Sequence, residues 1–453
     1  MTTILERYRA LHPRSAELHK QAERSFPNGV THDLRHFAPF PIYVDHALGA
    51  RKWDVDGNEI IDYMMGHGAL LLGHAHPTLV RAVTRQIARG THYGASTELE
   101  MEWAGWISKL VPSAQKVRFH SSGTEATMMA VRLARAYTGR NKLVRFALNF
   151  HGWNDSVVGY VLPEETLPRS PGVPPAYLGE QIVLPQNDIG ALAVTLGEEK
   201  DVAAVIVEPT GASFSTVPID PEFLAFMRER TAREGVVLIF DEVVTGFRVG
   251  PGGAQEHFGV KPDLTTLGKI LAGGLPGAAI AGRADILDCI EFRRDAEWNL
   301  HGRVAHQGTF NANPLSAAAG VAMLETISDG KAQAHAEEMA KRLCRGANRI
   351  MRKLGVKGCA YTFSSMFHMS IGVDCPEPAD GWEWRWDGAP GASVPMTSPK
   401  ATSAFRQAML NSGGGDFMRT GGLTSAVHDE KDIDETLAAL EPALADMRQE
   451  SSL

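Results

Sequence analysis

Two apolar runs, VAAVIV at 202–207 and VVLIF at 236–240, decide the fold; the first ends at Glu208 and the second at Asp241-Glu242. Short runs without polar alternation suit parallel strands buried on both faces. The helical stretch 222–233 between them supplies the crossover that a parallel pair needs. From about residue 70 to 320 apolar runs keep alternating with amphipathic helices, which predicts an α/β sheet flanked by helices. Open α/β sheets place their ligand sites beyond the carboxyl ends of the strands. The acids at those ends are therefore the first residues to test for chemistry.

A carboxylate at Asp241 or Glu242 is partly desolvated and calls for a cationic partner. A structural salt bridge would use either acid equally well. Lys269 lies in Leu267-Gly268-Lys269, ahead of Gly273-Gly274. Most lysines are solvated, but one sheltered after an apolar stretch has a lowered pKa and a nucleophilic amine. Earlier in the chain, Ser121-Ser122-Gly123-Thr124-Glu125-Ala126 opens a helical pattern over 124–137 that stops at Gly139. A small-residue turn at a helix start is an ordinary N-cap, and its free amides also make an anion site to which the Ser122 and Thr124 hydroxyls can add. No Walker motif and no spaced GxGxxG is present. An anion turn, then a strand-end acid, then a sheltered lysine is the set that pyridoxal phosphate requires. The turn serves its phosphate, the acid its ring nitrogen and the lysine its aldehyde. Phe150 in Phe150-His151-Gly152-Trp153 is the candidate to stack on the ring.

The whole chain of 453 residues is 44% hydrophobic and 22% charged, with a net charge of −8. That balance gives no electrostatic reason to expect nucleic acid or an anionic membrane. The first thirty residues lack the apolar core of a signal peptide, and no stretch approaches the ~20 apolar residues of a membrane span. The expected location is the cytoplasm. Cys289, Cys344, Cys359 and Cys375 form no C-x-x-C pair and read as four free thiols in a reducing compartment. The pair His74-x-His76 has no third ligand nearby, so no metal is expected.

Three regions follow from the patterning. Residues 1–65 read as one amphipathic helix, an extended arm punctuated by Pro and Gly, and a hairpin turning at Asp56-Gly57-Asn58. Residues 66–320 carry the large cofactor-binding α/β unit. Residues 321–453 form a smaller α+β unit, whose last helix aligns Ile433, Leu437, Leu440, Leu444 and Met447 on one face. Five prolines (376, 378, 390, 395, 399) and Trp382, Trp384 and Trp386 mark 375–399 as a surface loop.

Two longer segments carry a family resemblance: LIFDEVVTGFRVGPGGAQEHFGVKPDLTTLGKILAGGLPGAAIAGR (238–283) and SSGTEATMMAVRLARAYTGRNK (121–142). The chain resembles the class III, fold-type I pyridoxal-phosphate aminotransferases, in their glutamate-1-semialdehyde aminomutase branch, from about Phe26 to Met447. The resemblance implies a mixed, mostly parallel seven-stranded sheet plus the smaller C-terminal α+β unit. It implies Lys269 as the Schiff-base lysine and Asp241 as partner of the pyridine nitrogen. Val243 lies under the ring opposite Phe150, and Ser122, Gly123 and Thr124 hold the phosphate. Glu208 and Ser213 fall in the cofactor pocket, with Ser213 standing where the branch has Asn. Thr309 reaches the phosphate of the other subunit's cofactor, which implies a homodimer with shared sites. Arg35 takes the substrate carboxylate through its bidentate fork.

The chain also departs from that branch. Thr420 stands in place of a gating Glu, 157–167 replaces a mobile Gly-Ser-Gly loop, and His67 replaces a Trp. HGALLLGHAHP (67–77), FHGWND (150–155) and HQGTFNANP (306–314) are more similar to the D-phenylglycine aminotransferases. The expected activity is transfer of an amino group from an amino acid, aromatic or bulky and of D- or β-type, to a keto acid such as 2-oxoglutarate. The alternatives are glutamate-1-semialdehyde 2,1-aminomutase or an ammonia-lyase on the same fold. A non-catalytic binding protein is disfavoured by the intact Lys269, Asp241 and phosphate turn.

Overall fold

The two apolar runs are adjacent parallel strands. In the computed structural model, which describes residues 2–159, 170–384 and 395–453, Val202–Val207 pairs with Val237–Glu242 and every residue of both is buried. They sit inside a seven-stranded sheet. Its spatial order is Lys116–His120, Ala278–Gly282, Leu264–Leu267, Val237–Glu242, Val202–Val207, Lys142–Phe146 and Gln181–Leu184. Only Ala278–Gly282 runs antiparallel to its neighbours. The sheet is mixed and mostly parallel, as the resemblance implies.

Helix Pro221–Glu234 makes the crossover between the two runs, capped by Asp220 and ended by Gly235 in the left-handed region. Helix Gly123–Thr138 ends at Gly139, also left-handed, where only glycine is without steric cost. Its buried Ala126, Ala130 and Ala134 let the backbone lie close to the strands beneath. The parallel register places Asp241 opposite Thr266, three residues before Lys269. Acid and lysine thereby reach the same sheet edge.

The N-terminal helix is divided. Ile4–Leu11 and Pro13–Ala22 are separate helices, because Pro13 has no N–H to continue the first but suits the opening position of the second. The expected hairpin forms between Arg51–Asp54 and Glu59–Ile61, with Asp54 Oδ1 accepting the amides of Asp56 and Asn58. At the other end, Gly358–Phe363, Met366–Ile371 and Gly422–Leu423 form a sheet covered by Lys331–Leu354, Pro399–Asn411 and Glu430–Gln449. Ile433, Leu440, Leu444 and Met447 are buried there and Leu437 packs beside them, as the spacing predicts. Ile4, Ile61 and Tyr63 from the N-terminal region belong to this same core.

Two readings of the third region need correction. Cys359 and Cys375 are not free thiols but a disulfide, with Cα atoms 5.8 Å apart. Cys359 lies in the outer strand of a hairpin, and the chain turns back past Gly372 to bring Cys375 beside it. Sequence spacing does not reveal that return. Cys289 and Cys344 are free. The Trp-bearing segment is also less of a surface loop than expected. Trp382 packs on the helical core and Trp384 lies 5.2 Å from the Tyr361 ring; Trp386 and Pro390 fall outside the described residues. No described helix is long and apolar enough to cross a membrane.

The lysine turn is braced from below. Trp103 Nε1 donates to the carbonyl of Leu271, within the turn Lys269–Ala272, at 3.1 Å. A Cβ added at Gly320 would lie 2.3 Å from Trp103 Nε1 and 2.8 Å from the Leu271 oxygen. Gly320→Val is expected to displace both and to destabilise the fold by about 3 kcal/mol. A urea midpoint equal to that of the unsubstituted protein would refute this packing.

Candidate active site

Asp241 is the centre of a hydrogen-bonded set. Its Oδ2 accepts from His151 Nδ1 at 2.8 Å, and its Oδ1 accepts from Thr266 Oγ1 and the Val243 amide at 3.1 Å each. These three donors replace the cationic partner expected from sequence. Burial lowers the His151 pKa despite the nearby carboxylate, so the ring is neutral and its Nδ1–H faces Asp241. Among the described residues the buried His151 Nε2 has no hydrogen-bond partner. A carboxylate offers about four lone-pair directions, so one remains at Asp241 for a further donor such as a ring N–H.

Glu242 points the other way. It accepts from the amides of Ala254 and Gln255, from Gln255 Nε2 and from Thr245 Oγ1, and so fastens the helix Gly253–Phe258. Of the two adjacent acids, only Asp241 faces the site.

Lys269 follows Gly268 just past the end of Leu264–Leu267, with a left-handed φ of 49°. Burial lowers its pKa and the positive charge of Arg248 lowers it further, opposed by Asp241 and Glu208. Arg248 is itself fully buried, held by the Gly68 carbonyl and Ser365 Oγ. Together these effects favour a neutral, nucleophilic amine.

The anion turn has the form of a capped helix start. Ser122 Oγ accepts the Glu125 amide, and the Glu125 carboxylate accepts the amides of Ser121 and Ser122. Of the four amides that a helix start leaves open, Gly123 and Thr124 keep theirs uncommitted among the described residues. The surrounding backbone is tight. A Cβ at Gly123 would come within 2.9 Å of Val243 Cγ1, one at Gly268 within 3.2 Å of the same atom, and one at Gly152 within 2.6 Å of Thr124 Oγ1. Val243, the phosphate turn, the Phe150 loop and the lysine turn thus converge.

Glu208 organises the opposite rim. Its carboxylate accepts the amides of Phe150 at 2.7 Å, Ser213 at 3.0 Å and Phe214 at 2.8 Å. Ser213 Oγ donates to the Leu148 carbonyl. Phe150 is fixed through its backbone while 45% of its surface stays exposed. Glu208 therefore positions Phe150, the residue expected to stack on the ring.

Two sequence-derived residues stand apart from this cluster. Thr309 is exposed, and its carbonyl accepts a hydrogen bond from His92. Arg35 is exposed on the turn Asp33–Arg35 and donates to Thr31 Oγ1 at 3.0 Å. His151, Thr266 and Arg248 are the residues that sequence reasoning passes over. His151 had a signal, standing next to Phe150, whereas Thr266 and Arg248 join the site only through strand register and packing.

A class-III aminotransferase family model matches residues 34–358. The chain belongs to the class-III aminotransferases. It is 42% identical to a glutamate-1-semialdehyde 2,1-aminomutase of Methanopyrus kandleri, covering 80% of this chain and 83% of that one. Among solved structures it matches an omega-transaminase from Sphaerobacter thermophilus at a TM-score of 0.85 and 32% identity, covering 96% of this chain and 98% of that one. A transaminase with PLP bound matches at a TM-score of 0.85 and 31% identity, covering 97% of this chain and 99% of the other. This class-III enzyme is therefore pyridoxal-phosphate-dependent. The groups present suit the cofactor: two free helix-start amides, a glycine cradle against Val243, a carboxylate with one acceptor direction left and a lysine with a depressed pKa.

The pH dependence of stability provides a test. Burial and the charge of Asp241 push Glu208 up from 4.5 to about 7. The folded state holds this proton more tightly than the unfolded chain does, so stability falls as pH rises from 4.5 through about 7. The loss attributable to Glu208 is on the order of 3 kcal/mol. Glu208→Gln should remove that fall in urea titrations of the apoprotein; an unaltered pH profile would contradict it.

Proposed function

We propose that the enzyme transfers an amino group between an amino acid and a keto acid such as 2-oxoglutarate, with Lys269 and Asp241 as its catalytic residues. The observation that carries this reading is the convergence of Lys269, Asp241 and the capped start of Gly123–Thr138 at one sheet edge. Bound pyridoxal phosphate supplies an aldehyde for amines and a ring that accepts the electrons left when a Cα–H bond breaks.

Lys269 Nζ would hold the cofactor through its aldehyde, and the same amine, once free, would be the base that moves the Cα proton of the substrate. Burial and the charge of Arg248 lower its pKa, which favours the unprotonated amine for that task. Asp241, oriented by His151 and Thr266, would accept the ring N–H and keep that nitrogen protonated. Gly123, Thr124 and the Ser122 hydroxyl would hold the phosphate, and Phe150 and Val243 would flank the ring. Arg35 presents two parallel N–H donors to the substrate carboxylate. A homodimer in the cytoplasm completes the proposal. Thr309 lies beside Phe310, which is 60% exposed on an edge where Met101 is 67% exposed, and this surface suits a second copy of the chain that receives Thr309 at its phosphate.

The Methanopyrus relative favours a second reading, a 2,1-aminomutase that moves the amino group within one molecule. Against it, Thr420 offers no carboxylate at the gating position; it is buried, with its hydroxyl donating to the Met369 carbonyl at 2.5 Å.

One measurement tests the role of Lys269, and a second decides between the two readings. Lys269→Ala is expected to lose the near-visible absorbance of the lysine-bound cofactor and to lower turnover by about 10²–10⁴-fold or more; retained turnover overturns the assignment. With the unsubstituted enzyme, consumption of an amino acid should require 2-oxoglutarate. Turnover of glutamate-1-semialdehyde without any acceptor would instead establish the aminomutase.

A further inference from the structure

The segment Met65–Gly68 has an unusual backbone. Met65, Gly66, His67 and Gly68 all have left-handed φ values, 41°, 59°, 54° and 93°. Two of these residues carry side chains that disfavour the region, and such strain persists only where packing enforces it. Here Met65 is buried against Leu423, with Phe214 and Met418 packed on that cluster, and the Gly68 carbonyl is held by the buried Arg248. A Cβ at Gly68 would lie 3.4 Å from Lys269 Cδ, so the segment runs directly beside the catalytic lysine.

The bend presents His67, whose ring stacks on His32 with centroids 4.7 Å apart and planes inclined by 22°. His67 is half-buried and His32 exposed. Both rings lie within the fields of Arg35 and Lys269; Asp33 also acts on His32, and Asp416 on His67. Among the described residues neither imidazole has an acidic partner at ion-pair distance. Burial and the neighbouring cations lower both pKa values, that of His67 to about 4, so the stack is uncharged near neutrality. An uncharged pair of imidazole faces beside a carboxylate-binding arginine is a flat π surface and has little to offer an anion.

We propose that the stacked His32 and His67 form the wall of the substrate site that selects a planar aryl side chain. The inference rests on the amino-transfer reading and names its substrate class. A donor held by its carboxylate at Arg35, with its α-carbon at Lys269, brings its side chain near these imidazoles, because both cations act on both rings and Gly68 abuts Lys269. His32 and His67 thereby act as specificity residues.

The test is calorimetric binding of phenylacetate and propionate, neither of which carries an amine, to the holoenzyme and to its His67→Ala, His32→Ala and His67→Phe variants. The holoenzyme should bind phenylacetate at least about tenfold more tightly than propionate. Both alanine variants should reduce that ratio to under about threefold with the propionate Kd unchanged, and His67→Phe should restore it. In steady state, His67→Ala should raise KM for an aryl donor by about tenfold while kcat changes by less than about threefold. An undiminished ratio in His67→Ala, or a holoenzyme without aryl preference, overturns the wall. The aryl preference appearing without amino transfer would remove the reaction reading and leave the wall standing, because calorimetry reads no turnover.

Discussion

The site depends on one ladder of hydrogen bonds, the parallel pairing of Val237–Glu242 with Leu264–Leu267. Side chains alternate along a strand, so a slip of one residue would turn Asp241 away from Thr266 and exchange it with Glu242. Glu242 is already committed to the helix Gly253–Phe258, and Asp241 to His151. Each acid has donors on its own side only. The register and the two sets of donors therefore select the same arrangement.

Charges collected at this edge are costly to bury, and the structure offsets them by different means. Glu208 is matched with three backbone amides, Asp241 with a neutral imidazole, a hydroxyl and an amide, and Arg248 with a carbonyl and a hydroxyl. None of these is an ion pair. Dipoles satisfy the charges and leave the acids able to interact with a cofactor. Shifted pKa values relieve two of the groups further, Glu208 upward and Lys269 downward.

Much of this was legible from residues alone. VAAVIV and VVLIF announced buried parallel strands because nothing polar interrupts them, and Gly139 marked a helix end because glycine accommodates a left-handed cap. The order of turn, acid and lysine gave the chemistry. Other features had no local signature. His151 became significant only when folding brought it to Asp241, and Glu242 parted from Asp241 only through the pleat. Cys359 and Cys375 are separated by a strand and a reversal, so their pairing is a fact of topology. Pro13 was readable as a breaker, and the amphipathic spacing across it concealed the break.

The two ends of the chain close on one another. Ile4 enters the core formed by the last helix, its amide donates to Glu450, and the Asn411 side chain donates to the Ile4 carbonyl. The arm bearing His32 and Arg35 is strung between that N-terminal helix pair and the hairpin containing Ile61. During synthesis, the cofactor-binding sheet can be assembled while the ribosome is still translating the final helices. The arm docks through Phe37 and Phe40 on Tyr8, Ile60 and Leu410, so its core is incomplete until Pro399–Asn411 has emerged. On the proposed reading, recognition of substrate is thus a late capability of the nascent enzyme, and a product truncated before Pro399–Asn411 would hold cofactor groups without the arm that chooses what they act upon.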